Sequence, residues 1–333
     1  MSEKRNALID ITRVIAAVGI ILSHVDMTSY GAVGTLFGQF LSARFSLMFF
    51  LATIGFFVEK SYQAKKNPIS KRVVSLTRVY GIWSLVYLIL SFVMLVLIQK
   101  MPLGQYCLSR VKGFLFTGSY YHFWFYPAVI YALLLIGAAK KLLGNHAFRF
   151  LVPLAAVLYA VGLLGTGYLP IGRQIPVLRA LYRLNDFDAV MHLFLLGFPS
   201  VVFGMAAADI KKSPSAKILP LAAVMYVFEC ILLCLILGWR EDPQMLVTAP
   251  LFTILFIIRA SDSAFTLRKI NPSLLRIVSA GMYNIHPLIL AAFSLVLPAL
   301  DGIAAFILCT VFSVLFGVSL CLLRKNRLIA LLI

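Results

Sequence analysis

Charge is what this chain has least of. Only 13% of its 333 residues are Asp, Glu, Lys or Arg, about half the quarter found in soluble domains. Acidic residues are the scarcer sign, 12 against 30 basic ones. Cysteine is sparse and scattered, with five residues and no C-x-x-C spacing. Cys230, Cys234, Cys309 and Cys321 fall within apolar runs, where a thiol behaves as a small hydrophobe. That pattern argues against both a disulfide framework and a zinc site. No internal repeat or low-complexity tract is visible. What the chain has instead is apolar surface: 62% of residues are hydrophobic and the mean hydropathy is +0.96.

The apolar residues are gathered into ten runs, approximately 8–28, 36–58, 79–99, 122–138, 150–165, 187–208, 219–237, 244–259, 278–298 and 303–322. Runs of about 17–25 such residues cross a bilayer as helices. The expected fold is all-α, a polytopic transmembrane bundle of about ten helices forming a single domain over 1–333. The first run is expected to be a retained helix and not a cleaved leader, because Arg13 interrupts it and no small-residue cleavage site follows His24. The net charge of +18 does not point to nucleic acid, because its distribution follows topology. One set of alternate loops and helix ends holds 21 of the 30 basic residues, among them Lys4, Arg5, Lys65, Lys66, Lys71, Arg72, Lys140, Lys141, Lys211, Lys212, Arg268, Lys269, Arg324 and Arg327. The other set holds only Lys100, Arg110, Lys112, Arg173, Arg179, Arg183 and Arg240. This bias predicts cytoplasmic N- and C-termini in a multi-pass protein of the plasma membrane, its excess cations meeting anionic lipid. The chain stops six residues after Arg327, so no fused soluble catalytic domain is expected.

Within this apolar background a few polar residues stand out. Arg13 and His24 lie eleven residues apart in the first run, which on a helix returns to within roughly 20° of the same face, about 16 Å along the axis. Ionisable groups inside a membrane span mark pathways or sites unless they are paired or snorkel to the interface. For Arg13 the competing structural reading is a pair with Asp10; for His24 it is a polar position at the helix end. His122 and Trp124 sit where an outer loop enters the fourth run, among tyrosines that would suit an interfacial belt equally well. Tyr283 and His286 share a face of the ninth run, and Pro287 directly after them suggests a local helix break of the kind found beside cavities. Glu229 falls inside the seventh run, where a carboxylate must be protonated or partnered; it either meets a buried cation or joins two helices. Asp188 and His192, four apart, read as an ordinary helix-surface pair. The long outer loop at 166–186 carries Arg173, Arg179, Arg183, Asn185 and Asp186, which either solvate helix ends or line the mouth of a cavity.

Several of these residues stand in a recognisable order. Arg13 with Ser23-His24 resembles the R-x10-H signature of the acyltransferase-3 family. Arg44-Phe45-Ser46, Phe49-Phe50 and Gly55 resemble its second-helix pattern, with Ile54 and Met48 departing from it. Tyr121-His122-Phe123-Trp124-Phe125 resembles its H-x-W-F block. Arg183-Leu184-Asn185 and Phe198-Pro199 to Phe203-Gly204-Met205 resemble its Arg-Asn and Pro-Phe-x-x-Gly region, and Ser279 to His286 its S-x-G-x-Y-x-x-H segment. The His122–Trp124 block followed by Pro127-Ala128 is also similar to the membrane half of vancomycin-resistance serine racemases.

The resemblance implies a membrane-bound acyltransferase that moves an acyl group, acetyl above all, from cytosolic acyl-CoA as co-substrate to a hydroxyl or amine of a glycan, lipid-linked or small-molecule acceptor. It implies no permanently bound cofactor and no metal. Such chemistry needs a base for the acceptor proton, donors for an oxyanion and cations for the coenzyme phosphates. His24 suits the base and Arg13 the donor-side cation. By the same resemblance His122, Trp124, Tyr283, His286, Arg44 and Arg183 become substrate contacts, and Glu229 is added as a buried carboxylate the motifs do not supply. The racemase likeness implies an alternative: a transporter or flippase for a small polar solute such as an amino acid.

Overall fold

The computed structural model describes all residues except 1–5, 65–67, 184–186, 211–212, 238–243, 264, 266–271 and 333. Lys4, Arg5, Lys65, Lys66, Leu184, Asn185, Asp186, Lys211, Lys212, Arg240, Arg268 and Lys269 of the charge and motif reading lie outside the described residues. Among the described residues there are helices and no strand. Each of the ten apolar runs is a helix: α1 (Ala7–Ser23), α2 (Gly31–Gln63) and α3 (Pro68–Ile98), then α5 (Phe125–Leu143), α6 (Ala147–Gly165), α7 (Phe187–Ala208), α8 (Ile218–Leu237), α9 (Thr248–Ser261), α10 (Pro272–Val296) and α11 (Gly302–Leu323). Between α3 and α5 stands a helix the apolar pattern does not predict, α4 at 103–117. Eight of the described helices have a span's length and hydropathy; α1 and α9, at 17 and 14 residues, are shorter.

Local chemistry sets the ends. The Asn6 side chain accepts from the Ile9 N–H at 3.2 Å and opens α1, and Asp301 accepts from Ala304 at 2.9 Å and opens α11. Gly118 sits at φ 86°, a left-handed conformation that suits glycine, and stops α4. Wide π-helical turns occupy 36–43, 93–98, 113–117 and 191–197. Such turns are uncommon in helices and frequent at functional sites.

The chain gathers into two compact units. The first comprises Met1–Thr53 and Ala207–Leu331. Its core packs Ala17 and Ile21 of α1 against Val278 and Met282 of α10 and Cys309 of α11. Small residues allow these helices to meet closely. A Cβ on Gly317 would lie 2.7 Å from the Cα of Val278, and one on Gly19 would lie 2.5 Å from Ser46 Oγ. Hence α11 lies backbone to backbone on α10, and α1 lies against α2.

The second unit is Ile54–Ala206. Here α3 is the axis to which two consecutive helices are registered. The Tyr106 hydroxyl donates to Leu88 O at 2.9 Å, and the Tyr80 hydroxyl donates to Phe114 O at 2.8 Å. Eight residues along α4 thus match eight back along α3, so the two run antiparallel. The rings of Tyr80 and Tyr126 stack at 5.3 Å, and Gly137 faces Ile69, so α5 is antiparallel to α3 as well. Near the end of α5, Lys140 Nζ meets Glu59 Oε2 of α2 at 2.5 Å, both side chains buried. The rings of Tyr62 and Phe148 flank that ammonium at 4.0 and 4.7 Å.

Candidate functional site

In the first unit, α1 carries Arg13 nearly two turns into the helix and His24 at its C-terminal cap, where the His24 N–H donates to the Ile21 carbonyl and the Val25 N–H to the Leu22 carbonyl. Arg13 Nη1 meets Asp10 Oδ1 at 2.7 Å, the pairing its i, i+3 spacing allows. His24 is exposed, and its ring stacks on that of His286 with centroids 5.2 Å apart and planes 23° from parallel. His286 is wholly buried, with Nδ1 against the Met282 carbonyl at 3.1 Å and the Tyr283 ring 6.2 Å away. The Cys309 thiol donates to the His286 carbonyl across 3.6 Å. Pro287 stands inside α10 directly after this histidine; lacking an N–H, it leaves a carbonyl one turn back without its usual helical donor. The fold therefore joins the R-x10-H histidine to the last histidine of the S-x-G-x-Y-x-x-H segment, 262 positions away, on two packed helices.

Arg44 and Glu229 also belong to this unit, and both are buried. Arg44 begins the α-helical stretch of α2 after its π turn, and Nη1 reaches Gln244 O at 3.5 Å. The Glu229 carboxylate accepts from the N–H groups of Val247 and Thr248 at 2.7 and 2.8 Å, and from Thr248 Oγ1 at 2.5 Å. A carboxylate at a helix N-terminus meets orphan donors and the positive end of the helix dipole. Of the two readings the sequence left open for Glu229, the joining of two helices is visible: α8 caps α9.

In the second unit His122 and Trp124 occupy the break between α4 and α5. His122 is buried among the rings of Tyr87, Tyr120, Tyr121 and Phe123, at 5.2, 5.9, 5.6 and 3.9 Å. The Trp124 indole is stacked on His192, 4.2 Å between centroids and 16° from parallel. Sequence spacing treated His192 as a surface residue paired with Asp188. It lies instead on the π turn of α7, which reaches α5 because Gly197 has no Cβ; one there would stand 2.8 Å from the Ala128 Cβ. The π turn has no sequence period that would have revealed this. Arg183 is exposed after a short helix, Pro176–Leu181.

The site residues thus form two constellations. Arg13, His24, Arg44, Glu229, Tyr283 and His286 belong to the first unit; His122, Trp124 and Arg183 belong to the second. In the first, an exposed imidazole backed by a buried one can exchange a proton with a bound group, since histidine titrates near neutrality. In the second, an aromatic cage with two imidazoles and tyrosine hydroxyls suits recognition of a small polar ligand.

Comparison with known proteins agrees with the motifs. The profile of an acyltransferase domain family matches residues 6–322 and so runs through both units. An amino-acid racemase of Enterococcus faecalis is 26% identical over 304 residues, 87% of this chain and 42% of the relative. A serine/alanine racemase of Enterococcus gallinarum is 28% identical over 179 residues, 52% of this chain and 25% of the relative. The chain spans less than half the length of these curated relatives. No solved structure matches it. A profile match from the first turn of α1 to the last turn of α11, with the motif residues set on those helices, places this chain in the acyltransferase-3 family.

Proposed function

We propose that this acyltransferase-family protein transfers an acyl group, acetyl above all, from acyl-CoA to a hydroxyl or amine of a glycan, lipid-linked or small-molecule acceptor. The observation that carries the reading is the His24–His286 stack, which presents one exposed imidazole at the end of α1. His24 takes the acceptor proton as the nucleophile attacks the thioester carbonyl, and returns it to the departing CoA thiolate. His286 holds the His24 ring by stacking, and its own Nδ1 is engaged by the Met282 carbonyl. Arg13 is the donor-side cation. Its planar guanidinium, paired with Asp10, has a geometry that suits a phosphate or the thioester region. In the second unit Trp124 and His122, with Arg183, are candidate contacts for a small polar ligand. We place the protein in the plasma membrane with both termini cytoplasmic, following the loop charge bias.

The test is release of free CoA from acetyl-CoA by the full chain in liposomes, assayed with a thiol reagent against a panel of hydroxyl- and amine-bearing acceptors. His24→Ala should lower acceptor-dependent release by at least a hundredfold, with gel-filtration behaviour unchanged. Wild-type turnover in that variant would remove His24 as base. A second reading has its own support in the relatives named as amino-acid and serine/alanine racemases: uptake of a small polar solute such as an amino acid. Accumulation of labelled L-serine in proteoliposomes without acyl-CoA, and no CoA release with any acceptor, would favour it.

A further inference from the structure

The hydrogen bonds of the second unit fix how deep the His122–Trp124 break lies. The Ser119 N–H donates to the Tyr80 hydroxyl at 3.0 Å, and Ser119 Oγ lies 2.7 Å from Ser84 Oγ. His122 and Phe123 pack on the ring of Tyr87. The break is therefore level with Tyr80–Tyr87 of α3. Tyr80 is about 18 Å along the axis from Pro68, and Tyr87 about 17 Å from Ile98. The non-helical backbone lies beside the first half of the apolar run 79–99 of α3, not beyond the end of that run.

Three observations show that this level is within apolar surroundings and yet polar inside. First, α3 exposes the apolar side chains of Leu85 and Ile89, which suit lipid. Second, α4 exposes Leu108, Val111 and Leu115 along its length; 103–117 covers about 22 Å, which is short of a span. Third, α4 carries two cations near the depth of the break. Arg110 donates through Nη1 to Ser119 O at 3.2 Å, and Lys112 is exposed. Cations at such depth face a polar cavity or a partner, and irregular backbone at membrane depth is tolerated only inside protein or along water. Tyr121, in the break itself, is 51% exposed.

We propose that 103–143 is a single interrupted membrane segment: α4 enters beside α3 as a half-helix, Gly118–Trp124 turns inside the span, and α5 completes the crossing. The turn lines a water-filled cavity on the side of Tyr121, and the lipid-facing side of α4 carries Leu108 and Leu115. A small polar ligand reaching His122 and Trp124 does so within the membrane span, through water, rather than at an outer loop. This inference stands independently of the acyl-transfer reading.

The test is spin labelling of the full chain in lipid vesicles, in a Cys107→Ser background that removes the exposed native thiol. Nitroxides are placed on Leu108→Cys, Leu115→Cys and Tyr121→Cys, and collision with oxygen is compared with collision with a water-soluble nickel chelate. Seven residues of helix separate the first two labels, so Leu115 should lie about 10 Å from Leu108 along the membrane normal. The Tyr121 label should collide with the nickel chelate at least fivefold more often than the Leu115 label. Equal depths for Leu108 and Leu115 would make α4 an interfacial helix and overturn the inference. A Tyr121 label as inaccessible to nickel as Leu115 would show a dry break and overturn the cavity. If Tyr121→Cys is not monodisperse, Tyr120→Cys carries the same comparison.

Discussion

Lys140 and Glu59 provide a stringent test of how the second unit is held together. Their 2.5 Å contact is buried on both sides, with side-chain exposures of 7% and 4%. At an effective dielectric of about 20, unit charges that close attract by about 6–7 kcal/mol. Desolvation of two ions offsets much of this, so the intact pair adds little net stability over a well-packed apolar pair. Removing one partner is a different matter, because the other charge stays buried at a cost of about 3–5 kcal/mol. The two deletions should be unequal. Lys140→Met leaves the Glu59 carboxylate to its remaining contacts, whereas Glu59→Gln leaves an ammonium still flanked by the rings of Tyr62 and Phe148, worth about 1–2 kcal/mol. Unfolding of the full chain in mixed micelles, titrated with a denaturing detergent, should therefore rank wild type first, then Glu59→Gln, then Lys140→Met. The Glu59→Leu/Lys140→Met double variant should recover at least half the loss of Lys140→Met. Single variants within about 0.5 kcal/mol of wild type, or a double variant less stable than both singles, would refute the reasoning.

Other expectations follow from close contacts. Gly317→Val should destabilise the first unit by about 1–3 kcal/mol, since its Cβ would stand 2.7 Å from Val278 Cα, whereas Gly81→Ala meets nothing within 4 Å and should be neutral or slightly stabilising; the same detergent titration compares them. Glu229→Leu strips the N–H groups of Val247 and Thr248 of their acceptor and should cost about 2–3 kcal/mol, with faster hydrogen exchange at the start of α9. If instead the loss appears in CoA release with stability unchanged, Glu229 acts on the ligand. The His24→Ala and spin-label experiments complete the set.

Much of this molecule is legible along one dimension. Ten apolar runs became ten helices because hydrophobic length is a local property, readable at a window of about 20 residues. The motif residues were legible too, since a charged or titratable side chain is conspicuous against so apolar a background. The Arg13–Asp10 pair is within reach of helical spacing alone. Other features were not. α4 mixes Arg110, Lys112 and Tyr106 with leucines and resembles a polar loop in composition, so only its bonds to Leu88 and Tyr80 disclose a half-helix beside α3. His192 had no recognisable pattern, because a π turn changes which residues share a face.

By itself the sequence determined that this is a helical membrane chain, which family its motifs resemble, and which few polar side chains need explaining. Tertiary structure alone decided their company. It stacked His24 on His286 across 262 positions, spent the Glu229 carboxylate on the N-terminus of α9, and set His122 level with the middle of α3. The physical reason is that hydropathy and periodicity are short-range, whereas pairings between helices depend on where small residues such as Gly19, Gly197 and Gly317 permit close approach.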